Sequence, residues 1–460
     1  MSKRLEAFLE AAEKKAFDVD HRKTIGFNIA QYDKKVAEGK LQFSNLDLAK
    51  SRASVTKQKA IDNLEKYLVE FEANFIKRGG KVIWAQDGEE AVKEALQIMK
   101  KAEAKTVVKS KSMTTEEINF NGELEKQGIE SIETDLGEYI VQLRKEPPYH
   151  IVTPAMHLSK EDVAKTFNEL KGTPIGYTPE QITTYVRLQL REKYAQAEVG
   201  VSGANFLIAD AGAIAVTENE GNGLLSSAFP KVQIVIVGIE KIIPSILDLD
   251  LFWPLLATYG TGQEIAAYNT IYSGPKQAGE TDGPEEMHVI LLDNGRSTVL
   301  AETEQRRALS CIRCGACLNA DPVYQTIGGH AYGTTYSGPI GAVITPYMKD
   351  MDEWKHLSFA SPVCGKATEV CPVKIDIDRL ILMNRKDIVS KGFTSKSENW
   401  MWYIWKGAMM KRSKMDKGGP KVKNFMLKQF FKKSWGERRE LPAVAPKSFN
   451  QMWRERKGIK

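Results

Sequence analysis

The five cysteines of this 460-residue chain stand at 311, 314, 317, 364 and 371, all within 61 residues. CIRCGACLNADP (311–322) has the spacing Cys-x2-Cys-x2-Cys. Where a bacterial ferredoxin run places a fourth cysteine before proline, it has Asp321 before Pro322. SPVCGKATEVCP (361–372) gives Cys364 and Cys371-Pro372, with Ala367 where Cys-x2-Cys-x3-Cys-Pro requires a thiolate. Three cysteines at two-residue gaps wrap one face of a cubane cluster and leave its fourth iron to a remote cysteine. A zinc site draws instead on two separated pairs, and plain buried thiols are the third reading.

In paired runs of this kind the last cysteine of each run ligates the other cluster. Cys311, Cys314, Cys317 and Cys371 then form one complete ligand set. A second set falls on positions 321, 364 and 367 and on Ser361, where only Cys364 is a thiol. Asp321 offers an oxygen and Ala367 has no donor atom. The expectation is one [4Fe–4S] cluster, with Cys364 a spare thiol or a residual second-site ligand. Asp321 and Ala367 argue against a second cluster.

The elements that must position these residues are read from periodicity. Residues 1–50 read as a helix and then a polar connector, within an N-terminal helical segment over 1–60. A long helix through Leu64, Leu68, Phe71 and Phe75 then stops at Gly79-Gly80. Short strands at 81–85, 106–110 and 129–134 alternate with helices at 88–104 and 114–128, which implies a largely parallel sheet. Further strands are expected at 150–154, 205–210, 212–218, 232–238, 266–274 and 287–293, with helices near 159–170, 179–197 and 244–259. The fold class is therefore α/β over 61–295, followed by an α-helical ferredoxin-like iron–sulfur domain over 296–385 and a basic helical segment over 386–460.

Hydrophobic residues make up 42% of the chain, enough for a real core, and no run of about 18 apolar residues is present. A membrane-spanning or secreted protein is not expected. Cysteines confined to one region of a long chain suit reduced, metal-binding thiols in a cytoplasm. The net charge of +6 is uneven. Residues 386–460 carry 20 Lys and Arg against 6 Asp and Glu, a local +14 that leaves −8 for residues 1–385. Trp400, Trp402 and Trp405 lie among those lysines. The segment WMWYIWKGAMMKRSKMDK (400–417) reads either as a helix that docks on a partner or a membrane surface, or as a solvated helix covering the cluster domain. Nucleic acid is not an expected partner, because no recognition module accompanies the charge.

On its cysteine runs the chain resembles the lactate utilization protein B family. The likeness extends to GGHAYGTTYSGPIGAVITP (328–346), TDLGEYIVQL (134–143), NFLIADAGAIAVTENEGNG (205–223), VGIEKIIPS (237–245) and the aromatic, basic C-terminal segment. The resemblance implies a lactate-utilization (LUD) domain of three layers, like the ribose-phosphate isomerases and CoA transferases. It also implies two [4Fe–4S] clusters, and a cytoplasmic location, in solution or peripheral to the inner membrane. The implied role is a non-catalytic electron-transfer component working with other lactate-utilization subunits as lactate becomes pyruvate. Carry-over holds at Cys311, Cys314, Cys317 and Cys371 and fails at Asp321 and Ala367, which puts the two-cluster relay in doubt. A non-redox scaffold with a structural cluster is the alternative.

Lesser candidates remain. Glu218 and Glu220 stand at a strand end where α/β proteins place functional groups, to bind a small acid or act as a base; a capped surface turn is the plainer reading. SKSMTTEE (110–117) leads into a helix whose first turn suits an anion, although Thr114 and Glu117 match a capping box. His330 is the histidine near the cysteines, as a donor to cluster sulfur or as a structural loop residue. Nucleotide-phosphate and serine-hydrolase motifs are missing from the sequence.

Overall fold

The computed structural model describes residues 2–415, 417–436 and 439–458. Two compact units comprise residues 1–388 and 389–460. In the first, β-branched runs form β1 (Lys81–Ala85), β2 (Thr106–Lys109), β3 (Glu130–Glu133), β4 (Val199–Ser202), β5 (Phe206–Ile208), β6 (Ala213–Glu218), β7 (Val232–Gly238), β8 (Ile242–Ile243), β9 (Tyr268–Tyr272) and β10 (Glu286–Leu292). Six of them make one sheet in the order β1-β10-β7-β4-β2-β3, every neighbouring pair parallel. A smaller sheet has the order β8-β5-β6-β9. The expected α/β architecture with a parallel sheet is present.

Successive side chains on a strand point to opposite faces, so apolar runs in the central strands serve two cores. Ile234, Ile236, Ile290 and Leu292 pack against Ala91, Val92, Ala95 and Met99 of the helix Gly88–Lys101. Val235, Val237, Val289 and Leu291 face Leu68, Phe71 and Phe75 together with Leu207 and Ile214 of the smaller sheet. Phe71 and Phe75 are fully buried and stack with centroids 5.5 Å apart.

Several expectations are corrected. The polar connector is helical: α1 (Lys3–Ala16) is followed by α2 (Val19–Gly39) and α3 (Leu46–Asp62), and Asn63 separates α3 from α4 (Leu64–Lys77). Few residues of α2 are buried, which hid its periodicity. The helix expected over 114–128 is two short ones, Met113–Glu117 and Phe120–Lys126, divided at Asn119, whose φ is +51°. HIVTP (150–154) is a loop, not a strand; the His150 ring takes its backbone amides as described below. Strand β4 was not expected, because VGVS is too short and too small to stand out.

Residues 296–388 are helical, with short helices Ala316–Ala320 and Lys366–Val370 inside the two cysteine runs. The N-terminal helices pack on this region: Phe8 meets Tyr332 with centroids 6.0 Å apart, and Ile25 and Ile29 join the core around Leu318, Tyr324 and Ile340. In the second unit, the helix Lys396–Met409 exposes Trp400, Trp402, Tyr403 and Trp405. No helix among the described residues is long and apolar enough to cross a membrane.

Phe71→Ala removes a fully buried ring between the two sheets and is expected to cost about 3–5 kcal/mol. The check is urea unfolding, which should show a lower midpoint with an unchanged slope.

Candidate metal centre

The two cysteine runs share one backbone form. In the first, Arg313 and Gly315 have φ of +61° and +78°; in the second, Val363 and Gly365 have +52° and +85°. Each pair is followed by a short helix, Ala316–Ala320 or Lys366–Val370, capped at its C-terminus by Asp321 or Cys371. The Arg313 amide donates to Cys311 Sγ at 3.4 Å, and the Val363 amide donates to Ser361 Oγ at 3.2 Å. Positive φ at a β-branched valine is uncommon and costs energy. The second run thus keeps a ligand-loop conformation whose ligand positions are Ser361, Cys364 and Ala367.

The fold brings Cys311, Cys314, Cys317 and Cys371 within Coulombic reach of one another. Three of them are buried and Cys311 is half-buried. Burial pushes the Cys314 and Cys317 thiols far up and Cys371 up to about 11. The surroundings favour negative charge instead. The Ala316, Ile340 and Ile375 amides donate to Cys314, Cys317 and Cys371, the last at 3.3 Å. Lys57, Lys241 and Arg313 stand in Coulombic reach of Cys311, and Lys50 and Arg307 of Cys371. Such donors and cations suit thiolates that hold a metal cluster. Among the described residues, the one trio of His, Cys, Asp or Glu ligand atoms within 4.8 Å of each other is Glu116, Glu133 and Glu138. The carboxylate trio already has a cation: Lys109 Nζ lies 2.7 Å from Glu133 and 3.3 Å from Glu116.

At the second site Cys364 is exposed and Ala367 is buried. Asp321 is engaged as a helix cap: its Oδ2 accepts from the Tyr324 amide at 2.8 Å, while burial pushes its carboxyl up to about 6.

A buried ion network ties the cysteine loop to the parallel sheet. Arg296 donates to both oxygens of Glu117, at 2.9 and 2.8 Å, and to Glu240 Oε2 at 2.5 Å. Arg313 Nη2 donates to Glu240 Oε1 at 3.2 Å, and its guanidinium lies 4.4 Å over the Tyr336 ring. Tyr336 in turn donates to Glu117 at 2.6 Å. Burial alone would raise the Glu240 carboxyl, but Arg296 and Arg313 hold it down to about 2. Lys57 Nζ donates to the carbonyls of Glu240 and Ile242, and burial pushes its ammonium down to about 7. The capping box expected of Thr114 and Glu117 is corrected. Ser112 accepts from the Thr115 amide as the cap, and Glu117 is taken by Arg296.

Glu218 accepts from the Gly223 and Leu224 amides at 2.6 and 2.8 Å, and Glu220 accepts from the Leu136 amide at 3.1 Å. Both are capping groups, as the plainer reading has it. His330 bonds the Pro147 carbonyl at 2.7 Å and packs edge-on to Tyr149, a structural role rather than contact with cluster sulfur. Sequence reasoning missed Arg313, Lys241, Glu240, Arg296 and His150. Arg313 alone carried a signal, since it sits inside the first Cys-x2-Cys.

Comparisons with known proteins agree with this organisation. Residues 68–292 match the LUD domain and 307–375 the 4Fe-4S dicluster domain. The chain is 40% identical to a lactate utilization protein B of Bacillus licheniformis over 443 residues, covering 91% of this chain and 90% of that protein. It is 44% identical to lactate utilization protein B of Bacillus subtilis over 351 residues, covering 76% and 73%. A solved structure of a DUF162 family protein from Deinococcus radiodurans aligns with 50% of this chain and 98% of its own at 13% identity and a TM-score of 0.29, too weak to carry an argument.

Arg296→Met leaves Glu117 and Glu240 buried without their shared cation, and a loss of about 3–5 kcal/mol is expected in urea unfolding. Adding Glu117→Gln should recover part of it, because Glu240 and Arg313 then remain as a neutral pair. A single variant as stable as the parent would show that the network does not hold the two regions together.

Proposed function

Since the chain belongs to the lactate utilization protein B family, we propose that it serves lactate utilization as an electron-transfer subunit with one [4Fe–4S] cluster, on Cys311, Cys314, Cys317 and Cys371. The observation that carries the proposal is the meeting of remote Cys371 with the three cysteines of the first run, amid amide donors and five cationic side chains. A bound cluster supplies one-electron steps at a potential set by ligation, hydrogen bonding and burial. The chain's own residues tune that potential: the Arg313 and Ile375 amides stabilise negative charge on the sulfurs, and Tyr259, Leu318 and Ile340 keep water from them. Oxidation of lactate itself falls to a partner subunit in this reading. The exposed tryptophans and lysines of residues 396–458 supply the partner-docking surface.

Iron and sulfide analysis with EPR of anaerobically purified protein should find about four irons per chain. Cys371→Ala should lose the cluster as completely as Cys314→Ala, while Cys364→Ala keeps it. About eight irons, or stoichiometric zinc, would overturn the assignment.

The second reading is a scaffold whose cluster is structural, favoured by the capping role of Asp321 and the missing donor at Ala367. Asp321→Cys with Ala367→Cys gives, with Cys364, two thiolates on a loop that already has the ligand-binding form and a third from the end of the first run, with Ser361 at the fourth corner. The pair should add a second EPR signal, and either change alone should do less. The relay reading expects faster lactate-dependent electron transfer in the reconstituted complex after restoration. A second cluster without any kinetic gain decides for the scaffold.

A further inference from the structure

A cavity of about 740 Å³ lies between the C-terminal ends of β2 and β6 and the cysteine loop. Its size is that of sites for organic ligands well beyond three carbons. His150, Lys241, Arg313 and Asn319 are among its lining residues. His150 is 3% exposed, and its Nδ1 accepts from the Val152 and Thr153 amides at 3.1 and 3.2 Å. The imidazole proton is therefore on Nε2, where it has no partner. That edge of the ring lies against the cysteine loop: a Cβ at Gly315 would come within 3.3 Å of Nε2.

Arg313 spends Nη2 on Glu240, while its Nε and Nη1, also buried, have no partner. Three unpaired N–H donors thus belong to residues lining one cavity, and a buried donor is costly if nothing accepts from it. Lys241 adds a cation at the same wall. Its neighbour Glu240 is consumed by two arginines, and the cavity's Glu218 and Glu220 are consumed by backbone amides. Asp135, also in the lining, is paired with Lys111, and the donors left without a partner, on His150 and Arg313, suit an acceptor. Buried Asn319 Oδ1, also unpartnered, offers a place for one hydroxyl.

We infer that this cavity binds an organic oxyanion, whose carboxylate or phosphate oxygens accept from His150, Arg313 and Lys241 and whose body lies against Met113, Met156 and Leu256. The bound molecule would sit beside the loop that carries Cys314 and Cys317. The inference stands whether the cluster relays electrons or is structural.

Calorimetry on anaerobically purified, cluster-loaded protein tests it. The probes are L-lactate, pyruvate, inorganic phosphate and flavin mononucleotide, the last pairing a phosphate with an aromatic body able to fill the space. At least one should bind with a Kd below about 1 mM. The carboxylate and phosphate arms identify which oxyanion the site takes. His150→Phe keeps the ring and removes the Nε2 donor from the wall. Gly260→Leu fills the cavity from its helix, where a Cβ meets only the Cys314 carbonyl, at 3.8 Å. Each should weaken binding at least about tenfold with iron content and circular dichroism unchanged. Failure of all four probes, or binding that survives both substitutions, overturns the inference. Either result leaves the iron count and EPR behaviour untouched, so it is distinguishable from failure of the electron-transfer reading.

Discussion

The structure of the first unit depends on a buried charge alternation: Glu117, Arg296, Glu240 and Arg313 in one chain of ion pairs. Two carboxylates and two guanidiniums cancel, and almost no water reaches them. Burying four ions is costly, and only close pairing offsets the cost. The geometry is therefore specific. Glu117 follows β2, Glu240 follows β7, Arg296 begins the first helix after β10, and Arg313 lies inside the first cysteine run. The C-terminal ends of three strands and the cysteine loop can be brought together in few other ways without stranding a charge.

This constraint explains why the cysteine site lies where it does. Arg313 is held between Glu240 and the Tyr336 ring, which fixes the loop at φ of +61° and turns its amide toward Cys311. Lys57 reaches in from α3 to the Glu240 and Ile242 carbonyls, tying an N-terminal helix to the same point. Cations that neutralise the carboxylates also surround the sulfurs, so one arrangement serves fold and metal centre together.

The second run has the same loop form with one thiol, Cys364, at its ligand positions in place of three. Its backbone and its Ser361 hydrogen bond repeat those of the first run, yet Asp321 caps a helix and Ala367 packs as core. The loop form stands with Asp321 and Ala367 in place, because Lys366–Val370 packs beside Ala316–Ala320 and Thr368 donates to Asp378. Packing and capping maintain a conformation that ligation alone would otherwise have to justify.

The sequence by itself determined the cysteine spacing, the missing donors at 321 and 367, the parallel α/β alternation and the basic tail. Each is a local pattern, set by residue type at short separation. What it misread was also local: HIVTP has strand-like composition but gives its amides to a histidine ring, and α2 lacks a clear apolar stripe because little of it is buried. Tertiary structure alone decided the ion network and the cavity; within the network Glu117 and Tyr336 pair across 219 residues. No period links such residues. Their pairing follows from desolvation, which acts only once the chain has closed around them and each buried charge or N–H must find a partner.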